Sequence, residues 1–516
     1  MSNRVLAHLF LLASLVPAAA PAQRPTLGAG VRAFVAIDTS VIVIRNVRVI
    51  DGTGGAPRDN QDVVVRDGKI VSAGPGQQQI PPFAPLEGRP SVRDDKPVVI
   101  DGTGKTLLPG YVLVHEHMFY PAQGPVPFYD EMAFTFPRLY LAAGITTART
   151  GGSMHPLADI TLRKWIDSGR IPGPKLDITG PYLSGANGAP LMQFRELRDS
   201  ADARRVVAHW ADVGATSFKA YMWITRDELR AATDEAHKRG LKITGHLCSV
   251  TFREAAEIGI DNLEHGITAA TDFVSGKQPD VCPSTSSSSA IAKIDPATDT
   301  TLASVIQTLV RHKVAVTSTL AIFETFTPGR GAVMMQQRLL DAMSPAERTR
   351  YTTRRAAIDT STTSTWTQAL RSEMTFEKKF ADAGGLLLAG TDPTGYGGVI
   401  AGFGSQRTIE LLVEAGFTPV QAIQIATQNG ARYLGRDSRV GTIAAGKDAD
   451  LILIDGNPAA KSIAPTAPMR DMDPNAPPWA PWSSMLVRPM ADAATIPAPP
   501  MIDPIASLLN VLSRRR

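Results

Sequence analysis

Net charge is scarce on this chain: 53 Lys and Arg against 49 Asp and Glu leave +4 over 516 residues. That is too weak a field to draw the chain to nucleic acid, and no basic stripe with interleaved aromatics runs through it. After residue 22 no stretch is long and apolar enough to cross a bilayer. No Gly-x-Gly-x-x-Gly follows the first strand of the α/β region described below, which removes the signature of a dinucleotide site. Cysteine is almost absent, with Cys248 and Cys282 alone, so one disulfide is the most that can form. What is present is a globular composition, 43% hydrophobic and 20% charged, and a length that holds a large domain and a smaller one.

Residues 1–22 have the layout of a secretory signal. Arg4 gives the positive start, Val5 to Val16 the apolar stretch, and Ala20-Pro21-Ala22 the small residues before Gln23. Removal would take away Arg4 only and leave 4 − 1 = +3. The mature protein is therefore expected in an exported compartment, periplasmic or extracellular, with no membrane attachment. Disulfides persist there, and two cysteines are an even number, so a Cys248–Cys282 bridge is expected over two free thiols.

After a weakly patterned leader at 23–40, β-type runs occupy 41–109, with Asp67-Gly68 as a hairpin signal between Val63–Val65 and Ile70-Val71. From 110 to 435 short β-type runs alternate with longer helical patterns. The expected strands are Val112–His117, Ile145–Thr150, Leu176–Thr179, Ser217–Met222, Ile243–Leu247, Asn262–His265, Ala315–Leu320 and Leu386–Asp392. The clearest helix is Arg226–Arg239, with Thr225 and Glu228 at capping-box spacing and Gly240 at its end. Eight β-then-α units predict a (β/α)8 TIM barrel, with an open doubly wound sheet as the alternative. The Ser/Thr-rich stretch at 270–300 reads as a mobile loop insertion. Residues 436–460, with β-type Leu451–Ile454, are expected to return to the N-terminal strands and complete a small β-sandwich built from both chain ends. The last segment, 461–516, holds 11 prolines and reads as an extended tail that either packs through Trp479 and Trp482 or stays loose.

Strand 1 of the α/β region ends in His115-Glu116-His117, and period-2 geometry places both imidazoles on one side with Glu116 on the other. Active sites of parallel barrels lie at the C-terminal strand ends. The other polar residues expected there are Lys219, His246, His265 and Asp392. Four of the nine histidines thus fall at strand ends, while the others fall in the signal, loops or helices. Neutral imidazoles with a carboxylate suit Zn(II) or a similar divalent ion that activates water, and Asp392 could take up the proton and pass it to the leaving group. Taken singly, each residue has an ordinary structural reading: a satisfied histidine, a solvated lysine, a helix-capping aspartate. Tyr221, Arg149 and His155 are candidate substrate contacts; packing for Tyr221 and a structural ion pair for Arg149 are the alternatives.

With Leu108-Pro-Gly, His115-Glu-His117, Lys219, His246, Glu264-His265, Gly390-Thr-Asp392 and Gly446-Lys-Asp-Ala-Asp450, the chain resembles the amidohydrolase superfamily over nearly its whole mature length. The resemblance implies two divalent ions, one held by His115, His117 and Asp392 and the other by His246 and His265. Lys219 would bridge them as a CO2-derived carbamate, since a lysine ammonium has no lone pair to offer. Within the superfamily, Thr146-Thr-Ala-Arg149-Thr-Gly-Gly152, Gly245-His246 and Glu264-His265-Gly266 look closest to imidazolonepropionase-related hydrolases and Xaa-Pro dipeptidases. Tyr111-Val112-Leu113 departs from the Leu-Ile-Asp type opening common there, at a position that supplies no ligand.

The resemblance points to hydrolysis of an amide C–N bond in a small molecule, a dipeptide or an N-acyl amino acid. A lactonase, a phosphotriesterase and a cyclic-amide hydrolase are alternatives on the same site. Deamination is disfavoured, because the residues after His246 are Leu247, Cys248 and Ser249, where a glutamate would be expected at the third position. A non-catalytic scaffold would lack ligands, and none is missing. A homo-oligomer is compatible with all of this.

Overall fold

The computed structural model describes residues 27–76, 97–122, 128–186, 188, 193–330, 337–341, 343–394, 399–459 and 487–488. The expected signal at 1–22 and, apart from 487–488, the tail with Trp479 and Trp482 lie outside the described residues. The leader is not featureless: Ala29–Arg32 is a short helix, anchored where Gly28 N donates to Gly169 O.

Valine- and isoleucine-rich runs favour pleated backbone because a branched Cβ packs well on a sheet. They form β1 (Val41–Val49), β2 (Arg58–Arg66), β3 (Lys69–Pro75), β4 (Val98–Asp101) and β5 (Lys105–Pro109). Between β2 and β3, Asp67 and Gly68 both take left-handed φ, 50° and 75°, the geometry of a type I′ hairpin. The chain then runs through β6 (Tyr111–Glu116), β7 (Phe119–Ala122), β8 (Phe128–Glu131), β9 (Ile145–Thr150), β10 (Lys175–Asp177) and β11 (Thr179–Leu183). It continues with β12 (Ser217–Met222), β13 (Lys242–Leu247), β14 (Asn262–Glu264), β15 (Ala315–Ser318), β16 (Leu387–Ala389), β17 (Leu451–Asp455) and β18 (Val487–Arg488).

One seven-stranded sheet has the order β18-β17-β5-β1-β2-β3, with β4 also on β1, so both chain ends build it. Strand β17 lies antiparallel to β5, with Leu453 opposite Leu107. Val47, Val63, Leu107 and Ile443 pack on one face. The Gly446–Asp450 motif fastens this sheet to the rest: Asp448 pairs with Lys69 at 2.5 Å and Asp450 with Lys175 at 2.5 Å.

The remaining strands alternate with helices in a mixed α/β body. Ladder hydrogen bonds make two parallel sheets, β10-β9-β6 and β11-β12-β13-β14-β15-β16. The expected third strand is thus two strands, and the chain changes neighbours at Ile178, whose carbonyl accepts Thr216 N. At the other end, Thr391 N and Asp392 N, just past β16, both donate to His115 O at 3.0 Å. Between strands, Arg226–Lys238 is helical with a reciprocal capping box. Thr225 Oγ1 accepts Glu228 N, and the Glu228 carboxylate accepts Thr225 N.

The insertion at 270–300 is tied to its neighbours at several points. It carries a helix at Ser287–Ile291, and Asp280 accepts from Arg226 at 2.9 Å. Cys282 is bonded to Cys248 with Cα atoms 4.9 Å apart. Buried side chains such as Ile291 and the covalent bridge, features that periodicity does not record, anchor the segment. Alkylating the unfolded chain with and without reductant should show two modifiable thiols only after reduction; two thiols without reductant would contradict the bridge. Among the described residues no helix is long and apolar enough to cross a membrane.

Candidate metal centre

Alternation along β6 sends His115 and His117 to one side and Glu116 to the other. Glu116 Oε1 accepts from Thr391 Oγ1 at 2.7 Å, and that hydroxyl touches Ser405 on the helix Phe403–Glu414. Burial pushes the Glu116 carboxyl up to about 8 against that hydrogen bond, so it sits away from the centre as a group inclined to hold its proton. Tyr140, on the helix Phe136–Ala142, fixes the exit from β6 by donating its hydroxyl to His117 O at 2.7 Å.

Two overlapping groups of ligand-type atoms each lie within 4.8 Å: His115, His117 and Asp392, and His115, Glu264 and His265. His117 Nε2 is 2.9 Å from Asp392 Oδ1, and His115 Nε2 is 3.4 Å from the same oxygen. Backbone geometry converges the set. His265 and Asp392 both adopt left-handed φ, 72° and 55°. A left-handed residue ends strand alternation, so adjacent Glu264 and His265 both reach His115. Side-chain-bearing residues hold such a conformation only when their surroundings enforce it, which is a mark of functional sites. Here His265 Nδ1 is held by Thr319 Oγ1 at 2.9 Å, and His265 N donates to Thr317 O. Gly151 and Gly390 leave room for the His115 ring: a Cβ would stand 2.4 Å from His115 Cδ2 and 2.3 Å from His115 Cβ, respectively.

Charge states suit metal ligation, which needs neutral imidazole and ionised carboxylate. Burial pushes His117 down to about 4 and, with the Lys219 charge, His246 down to about 3. Burial alone would raise Asp392, yet His115 and His117 hold its carboxyl well below the usual range. The same holds for Glu264 beside Lys219, His115 and Arg149. His115 Nδ1 and His117 Nδ1 are buried without a hydrogen-bond partner. Buried polar atoms normally have one, so this donor set fits divalent ions.

His246 stands beside the two groups, its ring centroid 4.4 Å from that of His265. Lys219 Nζ lies 2.6 Å from Glu264 Oε2, 2.7 Å from Gly151 O and 3.4 Å from His115 Nε2. Glu264 is the group missing from the expected set. A signal for it was present: a glutamate inside an otherwise buried three-residue strand cannot stay unpartnered.

Above the centre lies a cavity of about 300 Å³, lined by His117, Lys219, Tyr221, His246, His265 and Asp392 together with mainly aromatic side chains. Tyr221 is in the lining, edge-on to His246 at 5.1 Å. Arg149 does not, which corrects the expectation of a substrate contact. Its guanidinium is 1% exposed and committed to Ser217 Oγ, Val114 O, Glu264 Oε1 and Thr244 Oγ1. His155 is also outside the lining. Its Nε2 lies 2.9 Å from Gln193 Nε2 and 3.3 Å from Tyr129 O, behind the cavity wall.

Solved structures share this fold. A protein assigned as a prolidase from Bifidobacterium longum is 22% identical, with a TM-score of 0.56, over 82% of this chain and 90% of its own. A Xaa-Pro dipeptidase with methionine bound in its active site is 20% identical, with a TM-score of 0.57, over 81% and 95%. The A. niger ochratoxinase is 18% identical, with a TM-score of 0.55, over 82% and 91%. A search of the curated proteins found no match. Residues 106–479, well over half of the chain, match the amidohydrolase family, and the chain that carries this buried His, Asp and Glu centre belongs to it as a metal-dependent hydrolase of C–N bonds.

Proposed function

We propose that this amidohydrolase is an exported enzyme that uses two divalent ions, zinc being the first candidate, to hydrolyse an amide bond in a small molecule. The observation that carries this reading is the convergence of His115, His117, His265, Asp392 and Glu264 beneath one cavity. His115, His117 and Asp392 would hold one ion, and His246 with His265 the other. Such ions activate water and polarise an amide carbonyl. A carbamate on Lys219 would complete the set. The ammonium is 2% exposed and within reach of both groups, and a carbamate nitrogen would keep an N–H to donate to Glu264. Asp392 is the proposed proton carrier: its carboxylate is ionised, partly exposed to the cavity and 2.9 Å from His117. Tyr221 would orient a substrate carbonyl.

The proposed architecture is a closed (β/α)8 barrel over 110–435, flanked by a β-sandwich from 41–109 and 436–460. Support for closure comes from Thr391 N and Asp392 N on His115 O, which link the last strand to the first. Dipeptides and N-acyl amino acids are the starting substrates to test, since solved structures of similar fold include a Xaa-Pro dipeptidase. A lactonase or phosphotriesterase is the second reading, because the same centre could attack an ester. Purified protein of measured metal content should cleave members of an amide panel, lose that activity to chelator and regain it with Zn(II). Failure to cleave any amide, with lactones or phosphotriesters cleaved instead, would replace the first reading by the second.

A further inference from the structure

The cavity is unusual in what surrounds its polar floor. One wall is formed by Tyr182, Phe194 and Tyr221, with ring centroids 4.7 to 5.3 Å apart. A second aromatic group in the lining is Phe323, Phe326 and Trp366. Phe323 stacks on Trp366 at 5.6 Å with 12° between planes, and Phe326 lies 5.0 Å from Trp366. Each wall touches the centre: Tyr221 meets His246, and Phe323 meets His265 at 6.0 Å. A group held over the centre therefore lies beside both sets of rings. Flat π-faces favour another planar ring, by offset stacking or edge contact.

We propose that the cavity selects amides with a planar aromatic group beside the scissile C–N bond. This rests on the amide-hydrolase reading above. The reaction adds water across the C–N bond, giving a carboxylic acid and an amine with no change in oxidation state. Two compounds isolate the ring: N-benzoylglycinamide and N-acetylglycinamide. Benzoate or acetate release by the metal-loaded protein should show kcat/KM for N-benzoylglycinamide at least about tenfold above that for the acetyl compound. Calorimetry on metal-stripped protein should rank their binding in the same order. Trp366→Ala should weaken N-benzoylglycinamide about tenfold, and Trp366→Phe should restore most of it. Equal cleavage or binding of the acetyl and benzoyl compounds would overturn the selectivity while leaving the hydrolase intact. If no compound is cleaved, here or in the wider amide panel, the hydrolase reading falls and calorimetry alone decides what the cavity selects.

Discussion

Lys219→Ala is expected to lower amide-hydrolysing kcat/KM at least about a hundredfold and to reduce the metal bound per chain. Lys219 sits on β12 with its Nζ within 2.6 Å of Glu264 Oε2 and 3.4 Å of His115 Nε2. Two losses coincide when it is removed. The proposed carbamate bridge disappears, and Glu264, fully buried, loses the N–H that the Lys219 nitrogen donates to it. The two can be separated. Addition of a short-chain carboxylic acid such as acetate or propionate offers a replacement anionic ligand in the space left by the side chain, so partial rescue of activity and metal content supports a bridging role. Full activity with one ion per chain would sink the carbamate and leave Lys219 as the partner of Glu264 alone.

Arg149→Met should destabilise the fold by about 3–5 kcal/mol, measured by urea denaturation of the reduced and oxidised protein alike. The guanidinium crosses the interior, touching Val114 O on β6, Ser217 on β12, Thr244 on β13 and Glu264 on β14. Its removal strands Glu264 oxygens and three other acceptors in a dry interior, and an uncompensated buried charge costs more than the pair contributes. Arg149→Lys distinguishes this role from substrate binding. A point charge cannot reproduce four directed hydrogen bonds, so stability should still fall, with KM for neutral amides unchanged. A raised KM at unaltered stability would return Arg149 to the substrate site.

Much of this molecule could be read along the chain. Asp67-Gly68 gives a hairpin because both residues tolerate left-handed backbone. Thr225 and Glu228 cap a helix because their side chains satisfy the same few exposed amides. His115 and His117 share a face because strand side chains alternate. These are local rules, satisfied within a few residues. Arg149 shows where local rules stop. An arginine at a strand end looks available to a substrate, and its burial depends on side chains of three other strands. The stretch at 270–300 shows the same limit, since the disulfide and the Arg226–Asp280 pair that anchor it join residues distant in the chain.

The sequence by itself determined the β-then-α order, the union of both chain ends in one sheet, and which histidines gather at the centre, because hydrophobic periodicity and ligand chemistry are written residue by residue. Tertiary structure decided what those residues do together. Left-handed turns at His265 and Asp392 overrode simple alternation and drew Glu264 into the ligand cluster. Packing of Tyr182, Phe194 and Tyr221 on one another, and of Phe323 and Phe326 on Trp366, lined the cavity with rings from segments far apart in the chain. Such features follow from which side chains meet across strands, and no pattern confined to one strand records that meeting.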